Sequence, residues 1–394
     1  MIKKNYLFIF LVIIFFAALV TAPEYDFKKI NSGIFFYAPE NPEELDLWLA
    51  GVQTSNTMFY KEGLYGSVLV SQEPSTANFP HPSGRLIPIP YSQTFSGDLK
   101  TMSLNGRIQC GTDRIDMITN TLLATAPIIF HKDPKTALNI GLGCGITLSV
   151  LEDYPFEKIT QIEIDPVVIE AAQNFNDANN NALKDPRLEL IVADARNHLK
   201  VSDEKFDIIV NEPFDPWVST STYLYSLEAF QTMRDHLNEG GIVSQWVPIF
   251  ELTEEDFKSF YKTFNSVFPY TVAFVSKTKQ PSQIAIGEDT AAIVEWREAA
   301  TEIILLGSTK PFTLNQDLLN QRLAVMNKAL EKVEIKDIRE FYLFSGDELQ
   351  DFAGDVPLYT DDNSLIEFSA ARALYERPAA EVLGAINDYI AKRK

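Results

Sequence analysis

The chain has 394 residues, 46% of them hydrophobic and 12% aromatic, which is ample for one large domain and a smaller companion. Its formal net charge of −20 argues against DNA or RNA as a partner, since binding them needs clustered Lys and Arg. Two cysteines, Cys110 and Cys144, exclude a disulfide-rich scaffold and any C-x-x-C metal pair, and His81, His131, His198 and His236 lack zinc-ligand spacing, so no metal is expected. The acidic surface would draw a cationic substrate, or serve solubility alone.

The first element is an apolar run from Tyr6 to Val20 behind Lys3 and Lys4. It reads as a single membrane-anchoring helix, or alternatively as the core of a cleaved secretion signal with Val20 and Ala22 before the cut. Lys28 and Lys29 on the far side balance Lys3 and Lys4, so the side of the membrane is not set. The expected division is an anchor or signal at 1–22, a connecting segment at 23–56, a β-rich domain at 57–114 and a Rossmann-like domain at 115–394. In the β-rich domain, Met58–Lys61 and Gly66–Gln72 read as strands. Residues 73–98 read as a loop, interrupted by Pro74, Pro80, Pro82, Pro88 and Pro90. Thr101–Leu104 and Arg107–Cys110 flank Asn105-Gly106, the signature of a hairpin with a type I′ turn.

Residues 115–130 carry a helical pattern. Beyond it, strands are expected at Ala137–Ile140, Ile159–Ile164, Leu188–Val192, Phe206–Val210, Ile242–Trp246 and Thr271–Val275, with helices between them. Alternating strands and helices imply a parallel sheet covered on both faces. Gly240-Gly241 reads as the end of a helix, and 290–394 as amphipathic helices such as Asn315–Lys332.

The chemistry concentrates between Ala137 and Pro216. Gly141, Gly143 and Gly145 directly follow a strand, where a backbone turns sharply and a ligand approaches closely. Glu163 ends the next strand, 20 residues beyond Gly143, where an acid takes two hydrogen bonds from ribose hydroxyls. Asp194 ends the third strand and can accept from an adenine amino group. Each acid alone also reads as a solvated loop residue. Both at strand ends, in register with the glycine loop, point to an adenosine-type ligand. The fourth strand ends in Asn211-Glu212-Pro213-Phe214-Asp215-Pro216-Trp217. Its two carboxylates can bind an ammonium group and take its proton, or simply form an Asx-type turn.

Together these motifs, with H-K-D-P-K-T-A-L-N-I-G-L-G-C-G, E-I-D-P, A-D-A-R-N, E-P-F-D-P-W and Y-T-D-D-N-S-L-I-E-F, resemble the spermidine synthase family, the polyamine aminopropyltransferases, in its divergent membrane-associated branch. The resemblance spans roughly residues 55–375. It implies an α/β, Rossmann-like transferase sheet with a small β-rich N-terminal domain. It implies transfer of an aminopropyl group from decarboxylated S-adenosylmethionine to an amine, releasing methylthioadenosine, with no permanently bound cofactor. Glu212 would take the proton, Asp215 would hold the acceptor, and Gln109 would line the pocket. Relatives form dimers or tetramers, so a homo-oligomer is implied.

The sequence departs from the family at two places. Cys144 stands where the glycine loop normally carries an aspartate for the donor's ammonium group. The family's D-E-x-x-Y segment is here Asp113-Arg114-Ile115-Asp116-Met117, without the glutamate and tyrosine. The alternatives are a methyltransferase using intact S-adenosylmethionine, and a non-catalytic nucleoside- or polyamine-binding module. By the same resemblance Cys110 and Cys144 face one shared space, either as two unrelated buried thiols or as a disulfide.

Overall fold

The computed structural model describes residues 26–33, 55–80, 86–219, 221–286, 291–313, 316–373 and 379–393. The chain divides into two compact units, 1–54 and 55–394. In the first, Phe27–Ile30 makes one helical turn, capped by the Asp26 side chain accepting from the Lys29 N–H. The apolar run Tyr6–Val20 lies outside the described residues. Among the described residues no helix is long and apolar enough to cross a membrane.

The second unit begins with β1 (Asn56–Glu62) and β2 (Ser67–Glu73). A two-stranded ribbon follows, β3 (Thr76–Pro80) with β4 (Leu86–Ser92), where a loop was expected. Pro80, Pro88 and Pro90 are tolerated because each strand of a two-stranded ribbon has an unpaired side that needs no N–H donor. The hairpin of β5 (Leu99–Leu104) and β6 (Arg107–Gly111) completes an antiparallel sheet in the order β1-β2-β5-β6. Its turn residues Asn105 and Gly106 have φ of 51° and 82°, the two positive angles a type I′ turn demands.

Helix α1 (Arg114–Phe130) follows, its first turn capped by the Asp113 carboxylate accepting from the Ile115 and Asp116 N–H groups. It packs on an eight-stranded sheet. Five strands are parallel in the order β9-β8-β7-β10-β11: β7 (Thr136–Ile140), β8 (Lys158–Glu163), β9 (Leu188–Val192), β10 (Phe206–Asn211) and β11 (Leu237–Val247). Three antiparallel strands extend the β11 edge: β13 (Ala291–Ser308), then β12 (Tyr270–Ile286), then β14 (Tyr342–Ser345). The chain leaves β7 toward β8 on one side and later returns to β10 on the other. That reversal opens a crevice at the carboxyl ends of β7 and β10.

Helices cover both faces. On one, α1, α2 (Ile146–Glu152) and α3 (Pro166–Ala172) close over Ile208 and Val210 with Leu122, Leu148 and Val168. On the other, α4 (Ala195–Val201), α5 (Leu227–Asp235) and α6 (Glu254–Val267) close over Ile209 and Val243 with Phe230, Phe257, Phe260 and Phe264. Each such fully buried large side chain contributes about 1.5–3 kcal/mol.

Two further expectations fail. Ala291–Ser308 is a strand, not a helix. Its Ile303–Leu306 run is wholly buried between β11 and β12, and that burial on both faces outweighs the helix preference of its Ala and Glu residues. Gly240-Gly241 does not end a helix: α5 stops at Asp235, and the glycines sit inside β11. There the pairing with β10 slips from Phe206↔Leu237 to Ile208↔Ile242, and Gly240 takes φ of 78° to make the irregularity.

Candidate active site

One cavity opens in the crevice. Gly141, Leu142, Gly143 and Cys144 form its floor, with Glu163, Asp194 and Glu212 at the strand ends and Gln109 on the wall toward β6. The glycines are required by space as well as by angle. Gly141 has φ of 88°, and a Cβ there would lie 2.3 Å from the Glu212 carbonyl oxygen. The bare backbone thus lets the ends of β7 and β10 touch. Gly145 does not line the cavity. With φ of 74° it opens α2, beside Asn179, whose amide donates to the Cys144 carbonyl at 2.9 Å.

Glu163 is buried at the end of β8. Its Oε2 accepts from the Leu142 N–H and its Oε1 from the Asp165 N–H, each at 2.9 Å. Burial raises its pKa and these backbone donors oppose the rise. Asp194 ends the turn after β9. Its Oδ1 caps α4 by accepting from the Asn197 N–H at 2.7 Å.

Glu212 follows β10 directly. Its pKa is pushed up to about 8, first by burial, with the nearby Glu302 adding to the rise and the Thr147 hydroxyl opposing it. A count of hydrogens gives the same result. The Thr147 hydroxyl lies 2.7 Å from Glu212 Oε2 and 2.6 Å from Asn120 Oδ1, and it has one proton for two acceptors. The Asn120 amide is held in orientation, because its Nδ2 donates to the Asp116 carbonyl at 2.7 Å. Asn120 and Glu212 thus compete for the one Thr147 proton, a competition that protonation of Glu212 would relieve. Burial thus favours the neutral form of Glu212 near pH 7.

Asp215 departs from expectation. It is buried but does not line the cavity. Arg107, reaching from β6, donates its Nε to Asp215 at 3.0 Å and its Nη2 to Glu251. The Trp217 indole donates to the other Glu251 oxygen at 3.1 Å. Burial raises the pKa of both carboxyls, and the guanidinium opposes the rise in each. The place expected for an acceptor's ammonium group beside Asp215 is thus taken by the protein's own cation. Gln109 bridges the two regions, facing the cavity and hydrogen bonding to Asp215.

Two cavity acids escape the sequence reading. Asp116 comes from the first turn of α1, and its pKa is raised well above the usual range by burial and by its neighbours Asp113 and Glu302. Glu302 comes from β13, takes hydrogen bonds from Thr119 and Trp246, and is pushed up to about 7, chiefly by burial. The signal that could have placed Glu302 was the continuous run Ile303–Leu306 before Gly307, which reads as a buried strand. Five carboxyls thus line the cavity, those of Asp116, Glu163, Asp194, Glu212 and Glu302, and among the described residues no basic side chain lines it. Cys110 and Cys144 are joined as a disulfide with Cα atoms 6.0 Å apart. The reading of two unrelated thiols is therefore replaced by a covalent tie between β6 and the glycine loop.

This chain is similar to several known proteins. A polyamine aminopropyltransferase of Thermotoga petrophila is 32% identical over 184 residues, 46% of this chain and 61% of that protein. A thermospermine synthase of Arabidopsis thaliana is 31% identical over 182 residues, 45% of this chain and 53% of that protein. A spermidine synthase structure from Thermotoga maritima superposes with a TM-score of 0.47 at 18% identity, covering 82% of this chain and 88% of that one. The chain thus spans roughly six-tenths of the first of these relatives and about half of the second. Residues 116–284 match the family model of the spermine/spermidine synthase domain.

Proposed function

We propose that the chain transfers an aminopropyl group from decarboxylated S-adenosylmethionine to an amine, releasing methylthioadenosine. The observation that carries this reading is Glu212, a carboxyl whose pKa is pushed up to about 8 at the mouth of β10, in a cavity lined by five acids and, among the described residues, no base. Glu163 would accept from the ribose and Asp194 from the adenine. The acceptor's nitrogen would attack the carbon beside the sulfonium. As the new C–N bond forms, the C–S bond breaks and its electrons stay on sulfur, leaving a neutral thioether. The attacking nitrogen's proton passes to Glu212, which must be ionised at that moment. The positive sulfonium would favour ionisation of this carboxyl when it binds. The sulfonium is already a good leaving group, so most of the rate would come from positioning.

A methyltransferase using intact S-adenosylmethionine is the second reading. Cys144, locked in a disulfide, favours it because it offers no charge to a donor's ammonium group at that point of the loop. Incubation with each donor and a panel of mono- and diamines, followed by mass analysis of the products, separates the two. Methylthioadenosine with an aminopropylated amine supports the first reading. S-adenosylhomocysteine with a methylated product supports the second, and no product from either donor removes both. For localisation, the apolar N-terminal run and the disulfide together support a membrane-anchored or exported protein in an oxidising compartment.

A further inference from the structure

The Cys110–Cys144 disulfide joins the end of β6 to the middle of the glycine loop. Its two residues are 6% and 2% exposed, yet both line the cavity. Cys144 sits between Gly143 and Gly145, both in left-handed conformations with φ of 49° and 74°. A Cβ at Gly143 would lie 3.4 Å from the Cys110 sulfur, so the loop is drawn tightly over the bond. The neighbouring Leu142 N–H holds Glu163 in place. A loop of three glycines has little stiffness of its own. Here the covalent tie to a packed strand supplies it.

We propose that this disulfide is a thiol–disulfide exchange site, reached through the cavity, whose oxidation state sets how well the cavity binds its ligand. The ligand half of this statement rests on the adenosine reading given above. A small dithiol entering the cavity would attack one sulfur as a thiolate. That step forms a mixed disulfide and expels the other cysteine as a thiolate. The reagent's second thiol then closes its own disulfide and releases the first cysteine. Two electrons and two protons pass from the dithiol to the protein, leaving Cys110 and Cys144 as free thiols. Two unbonded sulfurs cannot remain at bonding distance, so β6 and the loop must separate. Gly141–Gly145 then loses its anchor, and with it the fixed Leu142 N–H that orients Glu163. By linkage, a ligand that prefers the oxidised protein must also protect the disulfide from reduction.

The test uses the full chain purified without reductant, with methylthioadenosine as the probe. Calorimetry is run on the oxidised protein, on protein reduced with dithiothreitol and freed of it without air, and on reoxidised protein. Reduction should weaken binding at least about tenfold, reoxidation should restore it, and saturating methylthioadenosine should slow thiol release at least about fivefold. The double variant Cys110→Ser/Cys144→Ser should bind like reduced protein and ignore dithiothreitol. Hydrogen exchange supplies a readout that needs no ligand. Reduction should speed exchange in 141–146 while strands β7 and β10 keep their protection. Unchanged exchange in 141–146, or equal affinity in the two states, overturns the proposal. Oxidised protein that binds no methylthioadenosine would instead remove the adenosine reading, and the exchange data alone would then decide the switch.

Discussion

Replacing Glu212 by Gln tests the neutral-carboxyl argument in two independent ways. The amide is nearly isosteric with a carboxylic acid and its Nε2 can donate to Thr147 as the neutral acid would, so the packing should survive. In the parent protein the folded state keeps a proton that the unfolded chain releases above pH 4.5, since the folded pKa is pushed up to about 8. Raising the pH through this interval therefore favours the unfolded chain, and the parent loses stability that the variant does not. At roughly 1.4 kcal/mol per pH unit, the interval from 4.5 to about 8 caps the effect near 5 kcal/mol. Glu212 opens onto the cavity, where water moderates the penalty, so about 2–3 kcal/mol is the working figure. Urea denaturation at pH 5, 7 and 9 should show the variant gaining on the parent as pH rises, from near zero to that value. Asp116 and Glu302 titrate in both proteins and largely cancel in the difference. A gap that is the same at all three pH values would refute the assignment of a neutral Glu212. Turnover should meanwhile fall about 10²–10⁴-fold, the usual range for a lost general base. In the parent, kcat/KM should rise with pH toward a plateau above about 8, because the base works only when ionised.

Two further substitutions probe the neighbouring groups. Glu163→Ala removes the acceptor shared by the Leu142 and Asp165 N–H groups and by the expected ribose. Methylthioadenosine affinity should drop by roughly 1–3 kcal/mol in calorimetry, and an unchanged affinity would detach Glu163 from the ribose. Arg107→Met leaves Asp215 and Glu251 buried without their shared cation, which should cost roughly 3–5 kcal/mol in denaturant unfolding. Adding Asp215→Asn and Glu251→Gln should recover most of that loss, and a cost below about 1 kcal/mol for Arg107→Met alone would show that the ion triad contributes little.

The half of the cavity built on the glycine loop was legible because its signals are local. Glycines after β7, an acid closing β8 and another after β9 follow from strand ends within one stretch of chain. The Asn105-Gly106 turn was legible for the same reason, since two positive φ angles select those residues directly. The rest depends on pairings between distant segments. Thr119 meets Glu302 across 183 positions, and only the antiparallel register that sets Ser276 opposite Glu302 brings them together. Local composition pulled the other way, because Ala291–Ser308 is rich in Ala and Glu and reads as a helix until its buried Ile303–Leu306 run is given weight. The role expected of Asp215 failed likewise for a non-local reason: Arg107 lies 108 positions away and reaches it only because β6 packs against this edge. The cavity is thus assembled from two kinds of information. The parallel strand ends supply the glycine loop, Glu163, Asp194 and Glu212. The antiparallel edge and α1 supply Glu302 and Asp116. Two of the five cavity acids therefore sit on the elements whose placement the sequence reveals least.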